Sequence, residues 1–231
     1  MTDPDHSDTP DTGAEARTLE FEIEVAGSPE EVWAAIATGP GVSSWYVPHT
    51  IEERAGGAAS ARFGPGEEME VPGQVIDWDP PKRILLGGDG PDEGMAFEWT
   101  VEARSGDTCT VRLVNSGFGS GEHWDAMYDG LRDGWPMFLL NLQLHCEHFR
   151  GQHATAMLPT ASWTGSKADR WPVLLDAVGL SAPVETGARI ELGGDDDGPP
   201  PLAGTVVDVA EHRIAILLDG PAPGTAFVAA E

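Results

Sequence analysis

Lysine is almost missing from this chain: Lys82 and Lys167 are the only two, and the basic side chains total 13 against 39 acids, for a formal charge of −26. A surface of that sign repels phosphate backbones and anionic headgroups, and nucleic-acid binding needs a basic patch that displaces counterions. Neither nucleic acid nor a membrane surface is therefore expected as a partner. Acidity is compatible with a basic partner, a salt-adapted host or plain solubility, and solubility is the simplest expectation. Cysteine is as scarce. Cys109 and Cys146 lie far apart with no C-x-x-C or Cys/His zinc spacing, which argues against a disulfide framework or structural zinc and for two reduced, buried thiols. No run of about 18 apolar residues occurs, and Met1–Arg17 is polar and acidic where a signal peptide is basic and then apolar. A cytoplasmic location is the expectation.

What is present suffices for a sizeable core, since 40% of the 231 residues are hydrophobic. One domain and a smaller unit fit that length. Residues 1–16 hold no large apolar side chain after Met1 and are expected to be a disordered acidic tail. Order should begin at Leu19, where Leu19, Phe21, Ile23 and Val25 alternate with glutamates at the two-residue period of a strand. Ser28-Pro29-Glu30-Glu31 supplies an N-cap, a proline in the first turn and a capping-box glutamate, so a short helix runs through Val32, Trp33 and Ile36. Gly39-Pro40-Gly41 should break it, with a second helical turn from Val42 to Tyr46.

Between Thr50 and Phe118 the pattern is strand and turn. Six strands are predicted at Thr50–Arg54, Ala58–Phe63, Glu70–Asp77, Arg83–Gly87, Met95–Arg104 and Thr108–Asn115, separated by Gly, Pro and Asp clusters that make turns. From Gly121 to Phe149 the period changes. Trp124, Tyr128, Leu131, Trp135, Phe138, Leu142, His145 and Phe149 recur at spacings of four and three, an aromatic stripe on a long helix that Pro136 should kink.

One strand, two short helices, six strands and a long helix is the order of the α+β helix-grip fold, a curved antiparallel sheet wrapped around its C-terminal helix. The residues support a more specific likeness. S-P-E-E-V-W at Ser28–Trp33, S-W-Y-V-P at Ser44–Pro48, G-Q-V-I-D-W-D-P-P-K-R-I at Gly73–Ile84, N-S-G-F at Asn115–Phe118 and D-G-W at Asp133–Trp135 occur in the order found in the START-like (SRPBCC) superfamily. Residues 17–154 resemble its branch of homologues of the heat-shock-protein-90 ATPase activator. The resemblance implies a ligand cavity between sheet and long helix. The eukaryotic cochaperone carries a separate N-terminal domain that grips the chaperone, whereas only the acidic tail precedes the fold here, so a chaperone is not expected as the partner.

Residues 155–231 hold an internal echo. Gly204–Phe227 aligns with Gly73–Phe97 after one single-residue gap, sharing Gly204, Val206, Asp208, Arg213, Ile214, Asp219, Gly220, Pro221, Gly224, Ala226 and Phe227. A helix over Ala168–Val178 and a strand over Ala188–Leu192 precede it. The reading is a small α+β half-repeat, lacking the long helix, that cannot close its own core and docks on the first domain or on a second chain, so a homodimer is among the expected assemblies.

Candidate ligand-binding residues are Trp99, Trp124, Tyr128, Trp135, Phe138, Phe97 and Asn115. As a group the rings favour a cavity, although any one of them is more often plain core. Asn141 and Arg112 are further polar candidates for the mouth, with Arg112 also reading as a solvated strand residue. His145, His148 and His153 have no carboxylate-plus-histidine signature beside them, so no metal is expected; no cofactor motif and no catalytic triad spacing is identifiable. A small hydrophobic or aromatic molecule is the expected partner. A polyketide-cyclase-like or hydrolase-like enzyme is the alternative, favoured by a perturbed carboxylate or histidine in the cavity, and a chaperone-activator type of interaction module comes third.

Overall fold

The computed structural model describes residues 17–88, 93–154, 156–193 and 200–230; the acidic tail expected over residues 1–16 lies outside them. The chain enters through β1 (Leu19–Ala26) and turns at Gly27 into α1 (Pro29–Ala37). The capping box is formed in full: the Ser28 amide donates to the Glu31 carboxylate at 2.9 Å, and the Glu31 amide donates to the Ser28 hydroxyl at 3.3 Å. Glycine and proline do not break the chain after α1. They build α2 (Gly39–Val42) instead, because the Thr38 hydroxyl caps the Gly41 amide at 3.1 Å and Pro40 sits in a first turn that needs no amide from it. The turn expected at Val42–Tyr46 follows directly, closed by the Tyr46 amide on the Val42 carbonyl at 2.9 Å.

Six strands then form an antiparallel meander: β2 (His49–Ile51), β3 (Ala58–Arg62), β4 (Glu70–Asp79), β5 (Arg83–Gly88), β6 (Ala96–Ala103) and β7 (Thr108–Ser116). β1 returns to pair with β7, giving a seven-stranded sheet in the order β1-β7-β6-β5-β4-β3-β2. The helix α3 (Glu122–His148) runs unbroken through Pro136 and packs against the sheet. Between them lies one core cluster that joins Val32, Trp33 and Ile36 of α1, Trp45 from the turn after α2, Trp99, Val111 and Leu113 of the sheet, and Trp135, Leu139 and Leu142 of α3. This is the helix-grip architecture.

The C-terminal unit comprises α4 (Lys167–Ala177), β8 (Arg189–Leu192), β9 (Leu202–Ala210), β10 (Arg213–Gly220) and β11 (Gly224–Ala229), with its sheet in the order β11-β10-β9-β8. Contrary to the expectation that it needs another surface to close its core, it has a cluster of its own: Leu175, Leu180, Val206, Ile214, Ile216, Leu218 and Val228 are buried together, with Trp171 and Leu174 of α4 against them. A four-stranded face covered by an amphipathic helix is enough to seal such a layer.

Its geometry parallels β4 and β5 closely. Val75 pairs with Leu86 and Asp77 with Leu85, skipping Ile76; Val206 pairs with Ile216 and Asp208 with Ala215, skipping Val207. The bulge therefore falls at the same place in the echoed sequence. The ion pair spanning it recurs too, as Arg83 with Asp77 and Arg213 with Asp208. The third strand departs, because Leu86 faces Phe97 whereas Ile216 faces Ala226 rather than Phe227. That slip by one residue turns Phe227 away from the core face.

Two polar contacts tie the unit to α3. The Thr225 hydroxyl meets Asn141 Oδ1 at 2.7 Å while Asn141 Nδ2 donates to the Trp45 carbonyl at 2.6 Å, and Lys167 reaches Asp133 at 3.2 Å. Replacing Asn141 with alanine leaves the Trp45 carbonyl and the Thr225 hydroxyl without this partner and is expected to cost about 1–3 kcal/mol. Hydrogen exchange should then quicken in β11 and around Trp45, the two segments that Asn141 joins.

Candidate ligand cavity

The core does not fill the space between sheet and helix. A cavity of about 270 Å³ remains, walled by Trp45 and Tyr46 after α2, His49 of β2, Ala59 and Ala61 of β3, Val71 and Gly73 of β4, Leu86 of β5, Phe97 and Trp99 of β6, and Met127, Leu131 and Trp135 of α3. Rings make up much of its wall. The Trp135 ring lies 5.2 Å from Tyr46, 5.5 Å from Trp99 and 6.4 Å from Phe97, mostly edge to face. These residues meet because β5 and β6 place Leu86 opposite Phe97 and Ile84 opposite Trp99, so their side chains share the face that α3 covers.

Of the residues singled out from the sequence, Trp99, Trp135 and Phe97 line the cavity. Phe138 stands just outside, its ring 4.4 Å from that of Tyr46. Trp124 and Tyr128 lie one to two turns from the N-terminus of α3 and pack on Phe118, with ring centres 6.5 and 5.1 Å away, under an Arg17 guanidinium held 5.4 Å over Tyr128. Asn115 is wholly buried opposite Phe97 in the ladder, and neither of its amide atoms has a hydrogen-bond partner. Arg112 points outward to Glu20 at 2.6 Å, and Asn141 is occupied by Trp45 and Thr225. Tyr46, His49, Phe63, Met95 and Met127 complete the wall without having stood out in the sequence. S-W-Y-V-P carried Tyr46 all along, but as a family motif and not as a wall.

His49 gives the cavity its one titratable imidazole among the described residues. Burial holds its pKa below the ordinary histidine value, opposed by the bond between Nδ1 and the Val47 carbonyl at 2.6 Å. Since a carbonyl only accepts, Nδ1 carries the proton and Nε2 is left as an acceptor. Burial likewise raises the Tyr46 hydroxyl well above the usual phenol, so it stays protonated and can donate.

His145, in the last turns of α3, is buried, and desolvation together with nearby His153 holds its pKa down. The unfolded chain thus takes up these protons first, so stability is complete above about pH 6.5 and is lost as pH falls from that unfolded value through the folded one. Each such histidine contributes a slope of at most about 1.4 kcal/mol per pH unit. Denaturant midpoints of wild type and His145→Gln at pH 7.5 and 5.5 should show a smaller acid loss in the variant, even if its stability at pH 7.5 is lower.

Comparison with known proteins agrees with this architecture. Residues 26–147 match the family described as activator of Hsp90 ATPase homolog 1-like protein. The chain belongs to this family. Among solved structures, a Mesorhizobium loti protein aligns with a TM-score of 0.50 at 18% identity, covering 58% of this chain and 98% of its own. The Aha1 dimer of Colwellia psychrerythraea aligns at 0.49 and 21%, over 58% and 99% of the two chains. DynU16, from the dynemicin biosynthetic locus, aligns at 0.48 and 18%, over 88% and 76%. At 18% identity the Mesorhizobium loti likeness speaks for the fold alone. A comparison with curated proteins gives no match. Among the described residues of this activator-homologue family member, no helix is long and apolar enough to cross a membrane.

Proposed function

We propose that this activator-homologue family member is a cytoplasmic protein that binds a small hydrophobic or aromatic molecule between its sheet and α3. The observation that carries the reading is the cavity of about 270 Å³, whose wall is almost wholly apolar and includes the rings of Tyr46, Phe97, Trp99 and Trp135. Concave apolar pockets with a few convergent polar groups are the usual form of a small-molecule site. We further propose that residues 155–231 are a truncated repeat of the first domain, supported by the shared bulge and Arg–Asp pair of β4–β5 and β9–β10.

Native mass spectrometry of freshly purified protein reads a retained ligand and any homodimer in one measurement. A fluorescent hydrophobic dye provides the second arm. Ala59→Phe places a ring in the cavity from the β3 wall, and dye affinity is expected to fall at least about tenfold while the folded state persists. Saturable dye binding that is indifferent to Ala59→Phe would move the site elsewhere.

His49 supports a second reading, proton transfer to or from a bound ligand, because it is a neutral base in an apolar enclosure beside a protonated Tyr46 at a ring separation of 5.4 Å. Under that reading His49→Gln abolishes turnover and spares binding.

A further inference from the structure

We infer that the cavity selects uncharged molecules bearing a hydrogen-bond acceptor and rejects carboxylates; this rests on the reading of the cavity as a ligand site. Three features converge. Among the described residues, no lysine, arginine, aspartate or glutamate lines the cavity. A carboxylate entering it loses its hydration without gaining an ionic partner. His49 does not supply one, since burial keeps it neutral and its Nδ1 proton is already given to Val47.

The second feature is an unused donor. Trp135 is 3% exposed, lines the cavity, and has an indole Nε1–H with no hydrogen-bond partner. Buried donors are satisfied in nearly all native structures; this N–H is sealed in the present arrangement, so a ligand acceptor completes its bond once the ring turns toward the cavity. The Tyr46 ring beside it carries a hydroxyl that remains a donor at every physiological pH. The wholly buried Asn115 amide, opposite Phe97 in the ladder, is also unpartnered but is not part of the cavity wall. The donors on the wall, Tyr46 and Trp135, are both neutral, matched to a carbonyl oxygen and not to a charge. The third feature is long-range: a formal charge of −26 lowers the local concentration of anions before they reach the mouth.

Three probes of one shape separate the contributions: 2-acetylnaphthalene, 2-isopropylnaphthalene and 2-naphthoate, titrated against the whole protein at pH 7.5 by ligand-observed NMR. The ketone is expected to bind about tenfold or more tightly than the carboxylate, and about fivefold more tightly than the hydrocarbon. Trp135→Phe keeps a ring in the wall and deletes the N–H. In that variant the ketone should lose its advantage over the hydrocarbon, and Tyr46→Phe should narrow it. Naphthoate binding as well as the ketone, or a ketone-to-hydrocarbon ratio unmoved by Trp135→Phe, overturns the selectivity and leaves the cavity as a site. Binding of none of the three probes removes both this inference and the proposed function beneath it.

Discussion

Replacing Trp135 with alanine is expected to cost the fold about 3–5 kcal/mol, the range for removing a large buried ring. The residue is both wall and core. It is 3% exposed, and four aromatic rings, those of Tyr46, Trp99, Phe97 and Phe138, stand within 5.2 to 6.4 Å of it. Truncation joins the ring's volume to an existing cavity, and the neighbours have little room to collapse because Trp99 and Phe97 are held in register by β5 and β7. Urea titration should give a lower midpoint with an unchanged slope, whereas Trp135→Phe should lose far less. A deficit below about 1 kcal/mol in the alanine variant would show that the ring does not pack as described.

A comparable loss is expected from a single added methyl group. A Cβ on Gly41 would stand 1.9 Å from the Ala34 carbonyl oxygen and 2.9 Å from the Ala35 Cα. Both are backbone atoms, so α1 and α2 must move apart as bodies. That motion disturbs the Trp45 indole bond to the Ala35 carbonyl at 2.9 Å and with it the wall formed by Trp45 and Tyr46. Gly41→Ala is expected to destabilise by about 3 kcal/mol, at the upper end for overpacking. Gly130→Ala, in an exposed turn of α3 with open space at the Cβ, should stabilise by up to about 1 kcal/mol. Thermal melts of the pair, run side by side, separate close approach from glycine's intrinsic effect. Equal behaviour would refute the clash.

The contrast between these glycines indicates which parts of the molecule were legible from sequence. Strands with strong alternation and turn clusters between them, such as Phe97-Glu98-Trp99, announced their bounds within a residue or two. The capping box at Ser28 did the same for α1. Gly39-Pro40-Gly41 misled, because the breaking tendency of glycine and proline is a local average, and here a threonine cap and a tight approach to α1 outweigh it. The ligand wall was half legible. Helical spacing does predict that Trp124, Tyr128 and Trp135 share a stripe, but it does not say how far the sheet extends beneath it. The sheet covers Trp135 and leaves the first turns of α3 to Phe118 and Arg17. Tyr46 and His49 belong to a turn and a three-residue strand, segments too short to carry any period. The C-terminal core was underestimated for a related reason: an echo of three strands does not reveal that α4 seals them.

The two thiols lie at the far end of this sandwich from the ligand wall. Cys109 donates to the Gly27 carbonyl at 3.2 Å, and Cys146 lies in the last turns of α3, near enough to Cys109 that its ionisation is disfavoured by it. Burial is the larger cause, raising the Cys109 thiol and pushing Cys146 up to about 12. Burial disfavours both thiolates and covers both sulfurs while the structure is closed, so oxidants and alkylating reagents find little nucleophile to meet. Their modification is instead gated by local opening of the core that encloses them. The pair therefore acts as an internal clock for opening of the grip, ticking at the rate at which the core around it parts.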